Sequence, residues 1–226
     1  MLIHVPNILS AEDVAQFRHA LETSQWADGR LTAGDLAAQS KHNLQIPADS
    51  EIAQRLGEHI LRALARNDLY NAAALPLRVL PPMFNRYDTG MTFGAHTDNA
   101  IRTVAGGARL RADVSTTIFL TDPEAYDGGE LVIEDTFGQQ RVKLPAGDMI
   151  VYPSSSLHHV TPVTRGSRWA SFFWAQSMVR EDDKRAMLYN LDTAIRQMRA
   201  TYGDEGEALQ RFVSHYHNLV RLWAEL

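Results

Sequence analysis

The 226-residue sequence contains no cysteine, which excludes disulfide bonds, thiolate metal sites and a cysteine nucleophile. It also lacks an excess of positive charge, because 22 lysines and arginines stand against 27 aspartates and glutamates. The resulting net charge of −5 does not indicate a nucleic-acid-binding surface. No uninterrupted apolar run reaches the roughly 18 residues that a membrane span requires, so we expect no membrane segment.

The N-terminal residues Met1 to Pro6 do not combine a basic start with a long apolar segment. We therefore expect no secretory signal and a cytoplasmic protein. A hydrophobic fraction of 45% and a charged fraction of 22% are typical of a globular chain with a substantial core. The length suits one large domain, or one domain with an appendage.

Two amphipathic helices are predicted in the first third of the chain. Ser10 is a typical N-cap with acidic residues after it, and apolar residues then recur at helical spacing as far as Leu21. A second helix is predicted from near Ser50 to about Asn67, whereas 26–46 is predicted to form loops and short strands. We interpret 1–77 as a buttress that packs against a sheet.

Short apolar or alternating segments follow from residue 77 to 176, and they are separated by turn-forming residues. This pattern predicts about eight short strands in a sandwich or barrel, with a hairpin turn at 135–138. The segment 99–112 is predicted to be a long loop, and such loops in compact domains are often lids. Its three arginines would either attract an acidic substrate or form a solvated loop: Arg102, Arg109 and Arg111.

After residue 178 the apolar spacing becomes helical again. One stripe runs from Leu188 to Tyr202, the segment 203–206 interrupts it, and a second stripe runs from Leu209 to Trp223. We expect a helical hairpin that packs on the barrel or on a partner chain. The chain thus divides into predicted segments 1–77, 78–177 and 178–226.

The chemically most informative residues are His96 and Asp98, which are two apart and would share one face of a strand. A histidine pair at 158–159 follows a second apolar strand, and Arg168 lies ten residues after His158. Two histidines and one carboxylate leave positions open on a metal and suit ferrous iron in oxygen-activating enzymes. The arginine would be suited to an acidic co-substrate.

Longer motifs surround these residues. They lie at 84–87, 96–98, 126–131, 137–138, 144–148, 152–158 and 161–166. With them the sequence resembles the Fe(II)- and 2-oxoglutarate-dependent dioxygenases of the prolyl-hydroxylase superfamily. More narrowly, it resembles the bacterial PKHD-type (prolyl/lysyl-hydroxylase-like) hydroxylases, some of which are described as iron-uptake factors. The resemblance extends over residues 1–226.

The resemblance implies an α+β fold, in which a double-stranded β-helix (jelly-roll) carries N-terminal helices and a C-terminal helical hairpin. The family pattern has a proline four residues after the second histidine ligand and a basic residue about ten after it. Pro162 and Arg168 satisfy this spacing from His158, whereas His159 would shift both by one. The resemblance therefore implies that His96, Asp98 and His158 bind Fe(II).

Two further roles follow from the same resemblance. Arg168 would pair with the far carboxylate of 2-oxoglutarate, for which a bidentate guanidinium is well suited. Tyr87 matches a tyrosine that hydrogen-bonds the co-substrate in related enzymes, although it could equally be a core tyrosine. Trp169 and Trp174 are expected in the core.

The reaction implied is hydroxylation of an unidentified peptide side chain or small molecule, with a link to iron uptake. O2 and 2-oxoglutarate are consumed, succinate and CO2 are released, and L-ascorbate serves as reductant. Two alternatives stay open: a non-redox, cupin-like metal enzyme, and a binding module that retains the metal site. Partners are expected to be 2-oxoglutarate and the substrate, with homo-oligomerisation through the C-terminal helices and without nucleic acid or membrane.

Overall fold

Two antiparallel sheets form the centre of the molecule, for which the computed structural model describes residues 1–32, 38–104, 106–136 and 138–226. The larger sheet has eight strands. They are β1 (Ile3–Val5), β2 (Ala27–Asp28), β4 (Leu44–Gln45), β5 (Pro76–Val79), β6 (Met83–Asp88), β10 (Val114–Phe119), β14 (Met149–Pro153) and β17 (Ser167–Ser177).

The smaller sheet has five strands. They are β3 (Lys41–His42), β7 (Thr92–His96), β12 (Leu131–Asp135), β13 (Gly138–Val142) and β15 (His158–Val160). Two further pairs lie outside both sheets: β8 (Ile101–Thr103) with β9 (Arg109–Arg111), and β11 (Asp127–Gly128) with β16 (Val163–Arg165).

The helices begin at side-chain caps that the sequence makes visible. Helix α1 (Ala11–Glu22) starts with a capping box, in which Ser10 and Asp13 each accept a hydrogen bond from the other's backbone N–H. Ser50 caps α2 (Glu51–Ala65), and Asn67 caps α3 (Asp68–Ala74). The second helix was expected to reach Asn67 but ends at Ala65. The side-chain oxygen of Asn67 instead accepts a hydrogen bond from the backbone N–H of Tyr70 and caps a separate short helix.

The larger sheet is buried on both faces along β14, which explains the continuous apolar sequence of that strand. Along β14, Met149 and Val151 pack in a cluster with residues of α1 and α2, whereas Ile150 and Tyr152 pack in a second cluster with residues of the smaller sheet. Side chains alternate between the faces of a strand, so one segment of four apolar residues serves two cores. The functional pocket lies beside the second core, where the two sheets face each other.

The C-terminal segment forms α4 (Asp182–Tyr202) and α5 (Glu207–Trp223), as predicted. Both contribute to an apolar cluster with Leu75 and Val179 at the end of the larger sheet. Tyr202, in contrast, is 78% exposed, although the predicted stripe included it. Within the described residues, no helix is long and apolar enough to cross a membrane.

The predicted α+β jelly-roll with N-terminal helices and a C-terminal hairpin is thus confirmed, with two corrections. The region from residue 76 to 177 contains the thirteen strands β5 to β17, more than the eight or so expected, because several are only two or three residues long. The segment 99–112 is not an irregular loop, since it contains the β8–β9 hairpin. Residue 105 of this segment and residue 137 of the predicted turn lie outside the described residues.

Candidate active site

His96, Asp98 and His158 come together between the two sheets, with their ligand atoms all within 4.8 Å of one another. The two histidines meet because they are directly opposite each other in the antiparallel pair β7–β15. Their ring centroids are 4.3 Å apart. One carboxylate and two imidazoles in such a cluster form a donor set that suits ferrous iron and leaves coordination positions open.

Backbone hydrogen bonds orient both imidazoles. The Nδ1 of His96 is 2.8 Å from the carbonyl oxygen of Gly94, and the Nδ1 of His158 is 3.0 Å from that of Ser156. A carbonyl oxygen can only accept, so Nδ1 carries the proton in each ring. The Nε2 lone pairs are therefore free for a metal, and the rings are held in place in the way that metal-binding histidines usually are.

Asp98 reaches the cluster by a different route from the one expected. Strand β7 ends at His96, so Asp98 lies beyond it and the expectation of one shared strand face is wrong. Its Oδ2 instead accepts a hydrogen bond of 2.6 Å from the hydroxyl of Ser115 on β10, in the opposite sheet. The Ser115 hydroxyl is also 2.8 Å from that of Ser154, and both serines are buried.

His159 is not part of the cluster. It follows His158 on β15, and alternation along a strand turns it to the opposite face. It is half-buried, and its strand partner on β12 is Val132. The structure thus brings His158, and not His159, into the cluster, whereas the role of His158 as a metal ligand stays a prediction.

Arg168 is the largest fully buried side chain, with 1% of its surface exposed. Its guanidinium lies between two rings, with the Cζ atom 5.4 Å from the Tyr87 centroid and 5.2 Å from that of Phe119. Its Nε and Nη1 have no hydrogen-bond partner among the described residues. A buried cation with unpaired N–H groups is costly, so this side chain fits an anionic group that enters the pocket.

Tyr87 lies directly opposite Arg168 in the β6–β17 pair. It is 1% exposed, belongs to the core between the sheets and also lines the pocket. The two interpretations of this tyrosine are therefore compatible. Burial raises the pKa of its hydroxyl, and the charge of Arg168 opposes that shift only in part, so the phenol stays protonated at neutral pH.

Gly129 provides the space that Arg168 occupies. Its φ of +62° lies in the left-handed region. A Cβ at this position would lie 2.9 Å from Val163 Cγ2, 3.0 Å from Tyr126 Cε2 and 3.2 Å from Arg168 Cδ. The glycine was identified from sequence only as part of a motif, and its contact with the arginine depends on the fold.

His96 and Lys41, two of the ionisable groups near the cluster, have strongly lowered pKa values. Burial, followed by the charge of His158, lowers the pKa of His96 to about 4. The imidazole is therefore neutral at physiological pH and available as a ligand. Burial, followed by the charge of Arg102, lowers the pKa of Lys41 to about 8.

The pocket between the sheets has a volume of about 830 Å³ including its open mouth. Its lining includes all five residues predicted for the site, which are Tyr87, His96, Asp98, His158 and Arg168. Trp174, expected in the core, is buried and also lines the pocket. Sequence reasoning did not single out several other lining residues, among them Lys41, Asn43, Asn85, Ser115 and Tyr152.

Ser115 could have been found from the sequence. The segment Val114-Ser115-Thr116-Thr117 places three hydroxyls in a strand whose residues are all buried. Buried hydroxyls need partners, and alternation directs Ser115 and Thr117 to the same side. Lys41 and Asn43 had no such signal, because Lys41 lies on the two-residue strand β3 and Asn43 lies between β3 and β4, and long-range pairing brings both strands to the pocket.

Comparison with known proteins identifies the family. Residues 82–176 match the model of the 2OG-Fe(II) oxygenase superfamily, and residues 182–225 match that of the PKHD-type hydroxylase C-terminal domain. A PKHD-type hydroxylase of Cupriavidus metallidurans is 68% identical over 228 residues, covering 100% of both chains. This chain belongs to the PKHD-type hydroxylases. Another member, from Methylobacterium nodulans, is 63% identical, again over 100% of both chains.

Solved structures support the fold of this PKHD-type hydroxylase. A Pseudomonas putida prolyl-4-hydroxylase matches with a TM-score of 0.53 at 18% identity, over 77% of this chain and 92% of that one. A 2OG-Fe(II) oxygenase family oxidoreductase from Burkholderia pseudomallei matches with a TM-score of 0.54 at 16% identity, over 80% and 85% of the respective chains. The chain is therefore an enzyme of the 2OG-Fe(II) oxygenase superfamily with a jelly-roll fold.

Proposed function

We propose that this enzyme hydroxylates its substrate at an Fe(II) ion held by His96, Asp98 and His158, with 2-oxoglutarate anchored by Arg168. The observation that carries the proposal is the pairing of two features in one pocket. Three suitable ligand atoms lie within 4.8 Å of one another, and a fully buried arginine points unpaired N–H groups into the same space. The residues present therefore fit both the metal and a dicarboxylate.

When bound, Fe(II) and 2-oxoglutarate supply the oxidising chemistry, in which O2 is consumed, 2-oxoglutarate becomes succinate and CO2, and the substrate gains a hydroxyl group. The chain's own residues bind and orient. The carbonyls of Gly94 and Ser156 fix both imidazoles, and Ser115 holds the Asp98 carboxylate. Arg168, which is almost fully buried, would bind the far carboxylate, and Tyr87 lies beside it in the wall of the pocket.

A carboxylate in the donor set favours hydroxylation, because enzymes of this superfamily that transfer a halide leave that position open to the halide. We propose that the substrate is a peptide side chain or a small molecule. We also propose that the reaction is linked to iron uptake. We further propose L-ascorbate as the reductant and the cytoplasm as the location. These assignments are what the resemblance to the PKHD-type hydroxylases implies.

We also propose that the chain works as three segments. Residues 1–77 form the buttress, 78–177 carry the site, and 178–226 form a helical hairpin. Exposed apolar residues on that hairpin, such as Met187, Phe212 and Leu222, support homo-oligomerisation through it. Light scattering on the purified enzyme and on a variant with Phe212 and Leu222 changed to serine tests this. A monomeric mass for the unaltered enzyme contradicts it.

The decisive experiment measures succinate formation from 2-oxoglutarate without added substrate, with Fe(II) present. The unaltered enzyme is expected to show this uncoupled turnover, and to develop a visible charge-transfer band when Fe(II) and 2-oxoglutarate are added without oxygen. His158→Ala is expected to lose both signals. His159→Ala, one residue along the same strand, is expected to keep both, because its side chain lies outside the cluster.

Two outcomes contradict an Fe(II)- and 2-oxoglutarate-dependent activity, and a third contradicts the choice of ligands. The first is that the unaltered enzyme shows neither succinate formation nor the absorption band. The second is that Zn(II) supports an activity that Fe(II) does not, which favours the cupin-like alternative. Loss of both signals in His159→Ala with their retention in His158→Ala reverses the ligand assignment.

A further inference from the structure

The three arginines of the β8–β9 hairpin have different surroundings, although the sequence treats them alike. Arg111 is paired, with its Nε 2.7 Å from Asp113 and its Nη1 3.3 Å from Glu225. Arg109 is exposed. Arg102 is half-buried and lines the active-site pocket. Arg109 is thus solvated, Arg111 is paired with acidic residues of the chain, and only Arg102 of the three is placed to attract an acidic substrate in the pocket.

The fold holds Arg102 in a defined position. Its guanidinium carbon lies 3.9 Å from the centroid of the Trp174 ring, a stacking contact. Leu110, its cross-strand partner, belongs to the same apolar cluster as Trp174 and fixes the hairpin over that ring. Burial lowers the pKa of Arg102, and Asp98 partly offsets that shift. The guanidinium nevertheless remains charged at neutral pH.

No carboxylate lies within ion-pair distance of Arg102 in the part of the chain that the structure describes. This distinguishes it from most arginines of the chain, which have an acidic partner. A partly desolvated cation without a carboxylate is costly unless a ligand supplies the anion. The aromatic stack offsets only part of that cost.

Arg102 lies at a different level of the pocket from Arg168. Trp174 is opposite Ser115 in the β10–β17 pair, and Ser115 is the residue that holds Asp98. Arg102 therefore lies at the level of the metal cluster. Arg168 is six residues from Trp174 on the same face of β17, so the two side chains leave the strand at well-separated positions. The two guanidinium groups serve different ends of the pocket.

Charge balance indicates what Arg102 meets. Histidines that bind a metal do so as neutral imidazoles, so Fe(II) and Arg168 together would offset Asp98 and the doubly charged 2-oxoglutarate. Arg102 is additional to this balanced set. The pocket with its metal and co-substrate is thus positively charged, which attracts an anionic third component.

We propose that Arg102, stacked on Trp174, binds a carboxylate of the molecule that is hydroxylated. This inference rests on the proposed function and names the substrate class for it. A single guanidinium fits a singly charged carboxylate, which it can bind through two parallel hydrogen bonds. The aromatic surroundings, with Phe172 5.6 Å from Trp174 between ring centroids, suit an acid whose remaining part is apolar.

The test measures binding rather than turnover, with Zn(II) in place of Fe(II) and 2-oxoglutarate at saturation. The probes are 3-phenylpropionate and 3-phenylpropionamide, together with acetylated pentaalanine as the free acid and as the amide. The first pair represents a small acid and the second a peptide C-terminus. Calorimetry is expected to show at least one acid binding about tenfold more tightly than its amide.

Three variants locate the effect. Arg102→Gln is expected to remove the preference for the acid, and Arg102→Lys to keep part of it, because the charge remains without the planar fork. Arg109→Gln is the matched control, since it removes an exposed arginine from the same hairpin, and it is expected to keep the full preference. Circular dichroism checks that each variant is folded.

The proposal is overturned if neither acid binds more tightly than its amide, or if the preference persists in Arg102→Gln. It is also overturned if the acids displace 2-oxoglutarate, because they then occupy the Arg168 end. Uncoupled succinate formation with Fe(II) is measured separately in the same proteins. Its absence from the unaltered enzyme contradicts the proposed function, whereas its presence with no acid preference contradicts only the role of Arg102.

Discussion

Replacing Ser115 with alanine removes a hydroxyl that touches the metal cluster without being one of its ligands. Its Oγ is 2.6 Å from Oδ2 of Asp98, a short charge-assisted hydrogen bond. Ser115 is 2% exposed, so bulk water does not take the place of the lost donor. We expect Ser115→Ala to weaken Fe(II) binding while the three ligands remain.

The magnitude follows from the type of contact. A hydrogen bond to a charged group contributes about 1.5–3 kcal/mol, and part of that is lost equally from the metal-free and metal-bound enzyme. Groups that orient a ligand typically change metal affinity by about 10- to 100-fold. We therefore expect an increase in the dissociation constant of at least about tenfold, or about 1.4 kcal/mol.

The assay is an anaerobic Fe(II) titration with a competing chelator, with thermal unfolding as a check on the fold. Thr116→Val is the matched control on the same strand. Thr116 is 1% exposed, and its hydroxyl has no hydrogen-bond partner among the described residues. Its loss is expected to leave Fe(II) affinity unchanged. Equal affinities in Ser115→Ala and the unaltered enzyme refute the reasoning, as does equal weakening in both variants.

Three other changes test the site. Arg168→Gln is expected to raise KM for 2-oxoglutarate about 30-fold or more, because one partner of a buried charge pair is lost. Arg78→Gln, which removes an exposed arginine, is expected to leave this KM unchanged. The pKa of His96 is about 4 in the folded chain, below its usual value of 6.5. Between pH 6.5 and pH 4 the imidazole is therefore protonated in the unfolded chain and not in the folded one. Unfolding free energy of the metal-free enzyme should therefore fall as pH drops from 6.5 to 4, visible as a lower Tm at pH 5 than at pH 7. Gly129→Ala should lower stability by about 1–3 kcal/mol and raise KM for 2-oxoglutarate, because its Cβ would lie 3.2 Å from Arg168 Cδ. Gly90→Ala, also left-handed but with no described atom within 4 Å of its Cβ, should lower stability alone.

Each of these changes has an outcome that contradicts it. An unaltered KM in Arg168→Gln removes the arginine from the co-substrate site. The pH effect is assigned wrongly if His96→Asn shows the same fall in Tm between pH 7 and pH 5. Equal KM values in the two glycine variants mean that crowding of Arg168 has no effect on co-substrate binding.

Local structure was largely predictable, because it depends on short-range chemistry. The N-cap residues Ser10 and Ser50 predict where their helices begin, and the interruption at 203–206 predicts the break between α4 and α5. The strand content of β14 was visible as a continuous apolar segment. Short strands were predicted within 26–46, but the bounds of β2, β3 and β4 were not. Strands of two residues are stabilised by their neighbours in a sheet and not by their own sequence.

The sequence by itself determined the composition of the site: two histidines, one aspartate and one arginine, at spacings that resemble a known family. The tertiary structure decided how they meet. Strand pairing places His96 opposite His158, and Ser115 from the other sheet holds Asp98, which lies beyond its strand. Only the fold separates Arg102 from Arg109 and Arg111, because burial and stacking on Trp174 depend on residues far away in the chain. Spacing along a chain specifies which groups are available, whereas long-range packing specifies which are desolvated, paired or left for a ligand.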